Sequence, residues 1–355
     1  IYVGRYPERH DPDFLRPLLH SSFGGSTGWQ NPFGFTDLTL DEHLIEQRKR
    51  PASDRQSVVS DIQREFARQQ PFTVVGFQDE IRAARTDRFA GFAEVSMGDP
   101  LGYVALRRRQ ADGSVTGSGD GRLRVLITDG RVTRNFNPIA VEFRNRGTFS
   151  GLVYDSLARR YGGGINPWLA REWSWDAEGG ATTATVRLRE DLRWHDGTPL
   201  TAADVAFTYR FLADTTLGER ETPVPAPRFH GRVSLVETVE ALGERRLRFE
   251  FGETAPEVAA RAFTVPVLPA DVWQPKAAQV DFVGLDLFEG VTEALVWANP
   301  DPIGSGVLRF ERSVADELLV LERFEDHFLH RDPTAEIRER FGGVAFQELA
   351  VRVVP

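Results

Sequence analysis

Residues 185–212, TVRLREDLRWHDGTPLTAADVAFTYRFL, restrict the fold of this chain more than any other stretch. Residues 182–188 alternate apolar and polar side chains, the period of a strand with one buried face. Asp196-Gly197 is a tight-turn pair, and Pro199 blocks regular structure from continuing through it. Thr201 then stands as an N-cap with Asp204 at the third helical position, a close relative of the capping box, which predicts a helix over 201–212. A strand fed through a short turn into a capped helix requires a mixed α/β or α+β architecture, and the long connections elsewhere predict more than one lobe.

The 355 residues are enough for two or three domains, with 41% hydrophobic residues to fill their cores. There is no cysteine, which excludes disulfides, thiolate metal sites and cysteine nucleophiles. The formal charge of −9 argues against a nucleic-acid footprint. No apolar run approaches the length of a membrane span, and the first residues do not read as a signal peptide. Residue 1 is isoleucine and Met97 is the single methionine, which predicts a processed, engineered or excerpted chain.

Residues 110–121, QADGSVTGSGDG, read as a flexible linker, followed by a buried strand at 122–128. Before it, residues 41–49 predict a helix opened by Asp41, with Leu44 and Ile45 on one face. Residues 54–69 predict another, with Val58, Ile62 and Phe66 in register, and 72–77 read as a strand. Residues 247–251 and 317–321 alternate as strands, and the prolines of 223–227 predict an irregular loop.

The string WHDGTPLTAADV within 185–212 resembles the signature of the family 5 extracellular solute-binding proteins, the dipeptide-, oligopeptide- and nickel-binding components of ABC importers. Residues 151–172, 265–273 (VPVLPADVW), 302–328 and 342–355 are similar to flanking parts of that family in the family's order. Val307-Leu308 and His327-Phe328 stand where Pro-Tyr and Tyr-Trp are usual. Residues 11–19 (DPDFLRPLL), 31–41, 54–75 and 81–91 are similar to the family's C-terminal part, yet they come first. The resemblance therefore implies a periplasmic-binding-protein-like, type II, three-subdomain, two-lobe α/β fold in circularly permuted order, or a fragment across a tandem junction, with part of the last lobe missing.

On that reading, residues 1–83 form the C-terminal half of the second main lobe and 84–109 return to lobe one. Residues 110–121 are the linker, 122–145 begin lobe one, 146–300 are the extra subdomain carrying the signature, and 301–355 complete lobe one.

The resemblance implies capture of peptides or similar small solutes in an inter-lobe cleft, delivery to an ABC transporter permease, and a periplasmic or extracellular monomer with no signal or lipid anchor in this stretch. No nucleic-acid partner, cofactor or metal is implied, and no nucleophile–base constellation points to an enzyme. Glu8, counted back from Asp11-Pro12, is the implied partner of a ligand ammonium, with a solvated loop acid as the alternative. Trp29, Asn31 and Phe35 are candidates for the cleft wall or for anchors of a surface loop. Asn135 and Asn137 either bond a ligand backbone or satisfy the turn before Pro138. Trp194, His195 and Asp196 read as structural parts of the signature turn. His327, His330 and Asp332 have a spacing that could hold a metal, with charged surface residues as the alternative. Two rival readings remain open: a non-binding scaffold whose cleft lacks part of one wall, and a solute-sensing domain of a regulator, although no helix-turn-helix segment is evident.

Overall fold

A computed structural model describes residues 11–23, 31, 34–73, 76, 83–92, 99–116, 119–140, 149–176, 181–217, 224–280, 291–331, 334, 337, 340–341 and 343–354. Glu8, Trp29 and Asp332 lie outside these residues.

The first unit is helical. It comprises α1 (Leu15–Leu19), α2 (Leu38–Lys49) and α3 (Ala52–Gln69). Asp37, not Asp41, caps α2: its carboxylate accepts from the Leu40 N–H at 2.9 Å. Asp41 is freed for a contact with Ser21. α3 stops at Gln70, whose left-handed φ of 46° ends the helix one residue before Pro71. Leu18, Leu19, Leu40, Leu44 and Ile62 form the unit's own small core, with Phe35 and Phe66 packed against it. No strand is present at the described members of 72–77.

A small sheet follows, built from β1 (Phe89–Ala90), β2 (Arg107–Arg109) and β3 (Val115–Thr116), with α4 (Pro100–Val104) inside the β1–β2 connection. The expected linker is thus not a free tether throughout: Arg108 pairs with Thr116 and Arg109 with Val115, and the Asp112-Gly113 turn closes a hairpin. Gly113 supplies the positive φ, 83°, that such a turn requires.

The second, larger unit has one continuous core. β4 (Arg122–Ile127) lies parallel to the last strand at the edge of a four-stranded sheet and alternates in exposure, so the buried strand expected there is an edge strand. After α5 (Ser150–Val153), β5 (Ala158–Tyr161) and β6 (Gly164–Pro167) form a hairpin. β7 (Ala170–Asp176) and β8 (Thr183–Leu188) begin a second four-stranded sheet. α6 (Ala202–Asp214) carries the predicted box, with the Asp204 carboxylate accepting from the Thr201 N–H at 2.9 Å. β9 (Thr216–Leu217) pairs with β10 (Val224–Pro225), a two-residue edge where proline is tolerated because its missing N–H faces no partner.

α7 (His230–Val233) leads to β11 (Thr238–Ala241) and β12 (Arg246–Glu250), giving the order β11–β12–β8–β7. β13 (Gln279–Val280) and β14 (Val291–Thr292) form a short pair. β15 (Leu308–Val314), β16 (Leu318–Arg323) and β17 (Glu348–Val353) complete the first large sheet in the order β15–β16–β17–β4. Trp168, Phe249, Phe263 and Trp273 are among the largest wholly buried side chains of this unit.

Candidate functional site

The signature turn works as a clasp. His195 reaches from the turn to the loop before β15: its Nε2 lies 2.8 Å from the Gly306 carbonyl, its backbone N–H donates to the Gly304 carbonyl at 2.8 Å, and Nδ1 accepts from the Gly304 N–H at 3.3 Å. The loop in turn lies against the end of α5. A Cβ on Gly304 would stand 2.0 Å from the Val153 carbonyl oxygen, and one on Gly306 would stand 2.2 Å from that of Leu152. Only glycine permits that approach. Asp196 accepts from the Thr198 N–H at 2.9 Å and Gly197 adopts a φ of 88°. Burial pushes the His195 imidazole down to about 4, so it sits here as a neutral hydrogen-bonding strut.

Asp155 is the most enclosed charge of the larger unit. It accepts from Trp168 Nε1 at 2.8 Å, Arg159 Nη2 at 2.8 Å and His327 Nε2 at 2.7 Å. Burial alone would raise its pKa, but its contacts with His327 and Arg159 hold it below the ordinary carboxylate value. His327 is therefore committed to this hydrogen bond, with Nδ1 accepting from the Leu329 N–H at 3.2 Å. Among the described residues, no group of three or more His, Cys, Asp or Glu side chains is arranged to hold a metal.

The expected cleft residues take other places. Asn31 is buried in a left-handed conformation, and its amide clamps its own loop. It donates to the carbonyls of His20 and Phe35 and accepts from the Phe35 N–H at 2.9 Å. Phe35 packs on the helical core. Asn137 is wholly buried, donating to the carbonyls of Ala294 and Trp297 and accepting from the Ile139 N–H at 2.8 Å. Asn135 accepts from the Asn137 N–H and lines a cavity of about 10 Å³, room for one water. Both asparagines bond within the turn before Pro138, the second of the two roles open to them, and the buried Asn137 amide is taken up by backbone partners. A larger cleft of about 280 Å³ opens between α6 and β11, lined in part by Tyr209, Arg210, Val236 and Glu237, away from these candidates.

The seam between the two units holds what the sequence reasoning missed. Asp13 is 2% exposed; it accepts from Gln47 Nε2 at 2.8 Å and from Arg261 Nη1 of the larger unit, and it is ion-paired with Arg48, whose Nε lies 3.0 Å away. Asp11 caps the short turn before α1 and takes both Arg55 Nη atoms at 2.9 Å, with Arg261 3.7 Å away. Burial opposes the Asp11 charge, but Arg55 and Arg261 prevail and its pKa is lowered. The Ala255 N–H donates to the Arg48 carbonyl at 2.8 Å, Lys49 pairs with Glu253 at 2.6 Å, and Phe23 meets His230 edge-on at 5.3 Å. The sequence signal was present in the DPD string, in Arg48 of α2 and in Arg55 of α3, but Arg261 is joined to them only by the fold.

A family model for the bacterial extracellular solute-binding proteins, family 5 Middle, matches residues 164–355, more than half of the chain. The peptidoglycan-binding protein YepA of Agrobacterium fabrum is 25% identical over 185 residues, which are 51% of this chain and 26% of the relative. Among solved structures, the substrate-binding protein CtaP of Listeria monocytogenes is 26% identical at a TM-score of 0.47, covering 66% of this chain and 41% of that one. The oligopeptide-binding protein AppA of Bacillus subtilis, solved with a nonapeptide, is 20% identical at 0.47, covering 67% and 41%. The fold is the mixed α/β fold of the type II periplasmic binding proteins. The chain belongs to family 5 of the bacterial extracellular solute-binding proteins. It spans about a quarter of the length of the curated relative it matches. Among the described residues, no helix is long and apolar enough to cross a membrane.

Proposed function

We propose that this chain captures a peptide or similar small solute between its two units and presents it to the permease of an ABC importer, outside the cytoplasmic membrane and as a monomer. Family membership supports the class. The observation that carries the reading is the division of the core. Among the described residues, the helical unit has its own apolar cluster, the larger unit has another, and ion pairs cross the seam between them. Units joined by a polar seam can part and close again at less cost than units sharing an apolar core, because each side can be rehydrated. Glu8 and Trp29 stay in this proposal as ligand contacts, and Phe35 as support for their loop.

Calorimetric titration of the folded chain with a panel of dipeptides and oligopeptides tests it. Heat that saturates is expected for at least one member, and silence across the panel would sink the peptide reading. Among the described residues the core of the helical unit holds five buried side chains, and a second reading is that the cleft is incomplete and nothing binds. Thermal melts separate the two, since ligand at a hundredfold excess over its Kd adds about 2.7 kcal/mol to the folded state.

A further inference from the structure

Three of the four edges of the two large sheets are blunted. The register of β7 shifts between Ala170 and Glu172 in its ladder with β8, and that of β15 between Phe310 and Arg312 in its ladder with β16. β4 carries Arg122 and Arg124 at exposed positions. Bulges and basic side chains of this kind keep an edge from pairing with another chain. β11 is the fourth edge. Its residues, TVEA, include no lysine, arginine or proline, and its ladder with β12 runs without a bulge. Among the described residues, β12 is its one neighbour in the sheet.

The phase of that ladder sets which backbone groups are free. The Leu242 N–H donates to the Arg246 carbonyl at 2.7 Å. Hydrogen-bonded pairs alternate along an antiparallel ladder, so residues 238, 240 and 242 turn their backbone groups to β12. The N–H and C=O of Val239 and Ala241 therefore point away from the sheet. Beside them lies the cleft of about 280 Å³. Phe249, the cross-strand partner of Val239, meets Tyr209 of α6 edge-on at 5.0 Å, so α6 covers that face of the sheet. α6 lines the cleft with Tyr209, Arg210 and Ala213, and the chain entering β11 lines it with Val236 and Val239. An edge strand beside a helix-walled apolar cleft is the geometry in which an extended peptide adds to a sheet.

We propose that β11 is a docking edge for an extended segment of a partner protein, one that alternates apolar and basic residues. The segment pairs its backbone with Val239 and Ala241 and sets an apolar side chain into the cleft against Val236, Val239 and Ala213. Side chains alternate across a strand, so the next residues of the segment lie on the outer face, where Glu240 stands exposed. Glu240 has no ion-pair partner among the described residues, since Arg248 opposite it pairs with Glu250 at 3.5 Å. A lysine or arginine beside Glu240 forms a cross-strand pair of opposite charge. Arg210 and Glu237, which also line the cleft, leave it without net charge. The chain's charge of −9 steers a basic segment toward it. The site lies within the larger unit and is independent of the solute-capture reading.

The probe is a fluorescently labelled pentapeptide of alternating lysine and valine, blocked at both ends and added to the full chain at low ionic strength. Its anisotropy is expected to rise to saturation, and hydrogen exchange at the Val239 and Ala241 amides is expected to slow. The same peptide with glutamate in place of lysine is expected to give no rise. Val239→Pro removes one outward donor and leaves the ladder with β12 complete, so it is expected to weaken binding about fivefold. Ala213→Arg, at an exposed position of α6, fills the cleft with a like charge; it is the second variant should Val239→Pro fail to fold, and it is expected to weaken binding at least as much. A flat titration with the lysine peptide, equal binding of the glutamate peptide, or undiminished binding in the folded variants would overturn the inference. Slowed exchange confined to the seam between the two units would support solute capture and overturn this inference alone. Dimers that form without peptide and that Val239→Pro disperses would overturn it in favour of a second copy of the chain on this edge.

Discussion

Replacing Gly306 by alanine tests the clasp directly. The new Cβ would lie 2.2 Å from the Leu152 carbonyl oxygen and 2.6 Å from the Val153 carbonyl carbon. Both are backbone atoms of a buried turn, so no side chain can swing aside. Relief needs a movement on the order of 1 Å, since non-bonded contacts are repulsive at such separations. That movement stretches the Gly306 N–H to Val153 carbonyl bond, now 2.7 Å, and the His195 Nε2 to Gly306 carbonyl contact, now 2.8 Å. Overpacking of about 2 kcal/mol and about 1 kcal/mol for each hydrogen bond lost give a destabilisation of about 4 kcal/mol.

Urea unfolding followed by tryptophan fluorescence measures it, because Trp168 and Trp194 are buried in the same unit. Gly163→Ala is the control. Gly163 has a φ of 84° and open space around its Cβ position, so only the left-handed strain of about 1 kcal/mol is expected there. Equal costs at the two positions, or a Gly306→Ala cost below that of Gly163→Ala, would refute the steric argument.

Acid should weaken the fold through its imidazoles. Burial lowers His195, His230 and His330 to about 4 each, so below the unfolded value of 6.5 the unfolded chain takes up protons that the folded one refuses. Stability is therefore complete above about pH 6.5 and declines toward about pH 4. Urea midpoints that fall between about pH 7 and about pH 5, with a shallower fall in His195→Gln, are expected, and a rising midpoint would contradict the assignment. Asp13→Asn should loosen the helical unit, because it strands Arg48 and Arg261 without their buried partner at a cost of about 3 to 5 kcal/mol. Limited proteolysis should then cut α1–α3 well before residues 149–331. Glu253→Gln, which breaks only the exposed pair with Lys49, should leave the cleavage order of the wild type.

Local order was legible in the sequence wherever one segment holds its own answer. Residues 182–188 alternate because one face of a sheet is buried, and they form β8. Thr201 and Asp204 are three residues apart because a capping box requires it, and they cap α6. Asp196-Gly197 turns where it should, and His195 serves structure as its place in the turn suggests. The family resemblance carried by WHDGTPLTAADV matches the family assignment.

The sequence misled where two equivalent candidates stood a few residues apart or where partners are remote. Asp37 and Asp41 can each cap a helix, and the choice fell to Asp37 once Asp41 met Ser21. The stretch 110–121 looks like a tether because hairpin turns use the same glycine and aspartate residues. Asn31 and Asn137 each stood between two roles in the sequence, and in the fold their amides bond backbone groups.

The sequence alone thus determined β8, α6 and the turn between them, the mixed α/β class and the family, because caps, turns and alternation are short-range properties of a chain. The tertiary structure alone decided where charge accumulates. Arg48 and Arg55 are separated from Arg261 by about 200 residues of chain, a distance over which periodicity carries no information. Only packing of the helical unit on the larger one brings them to a single seam, where low polarity makes each charge need its partner.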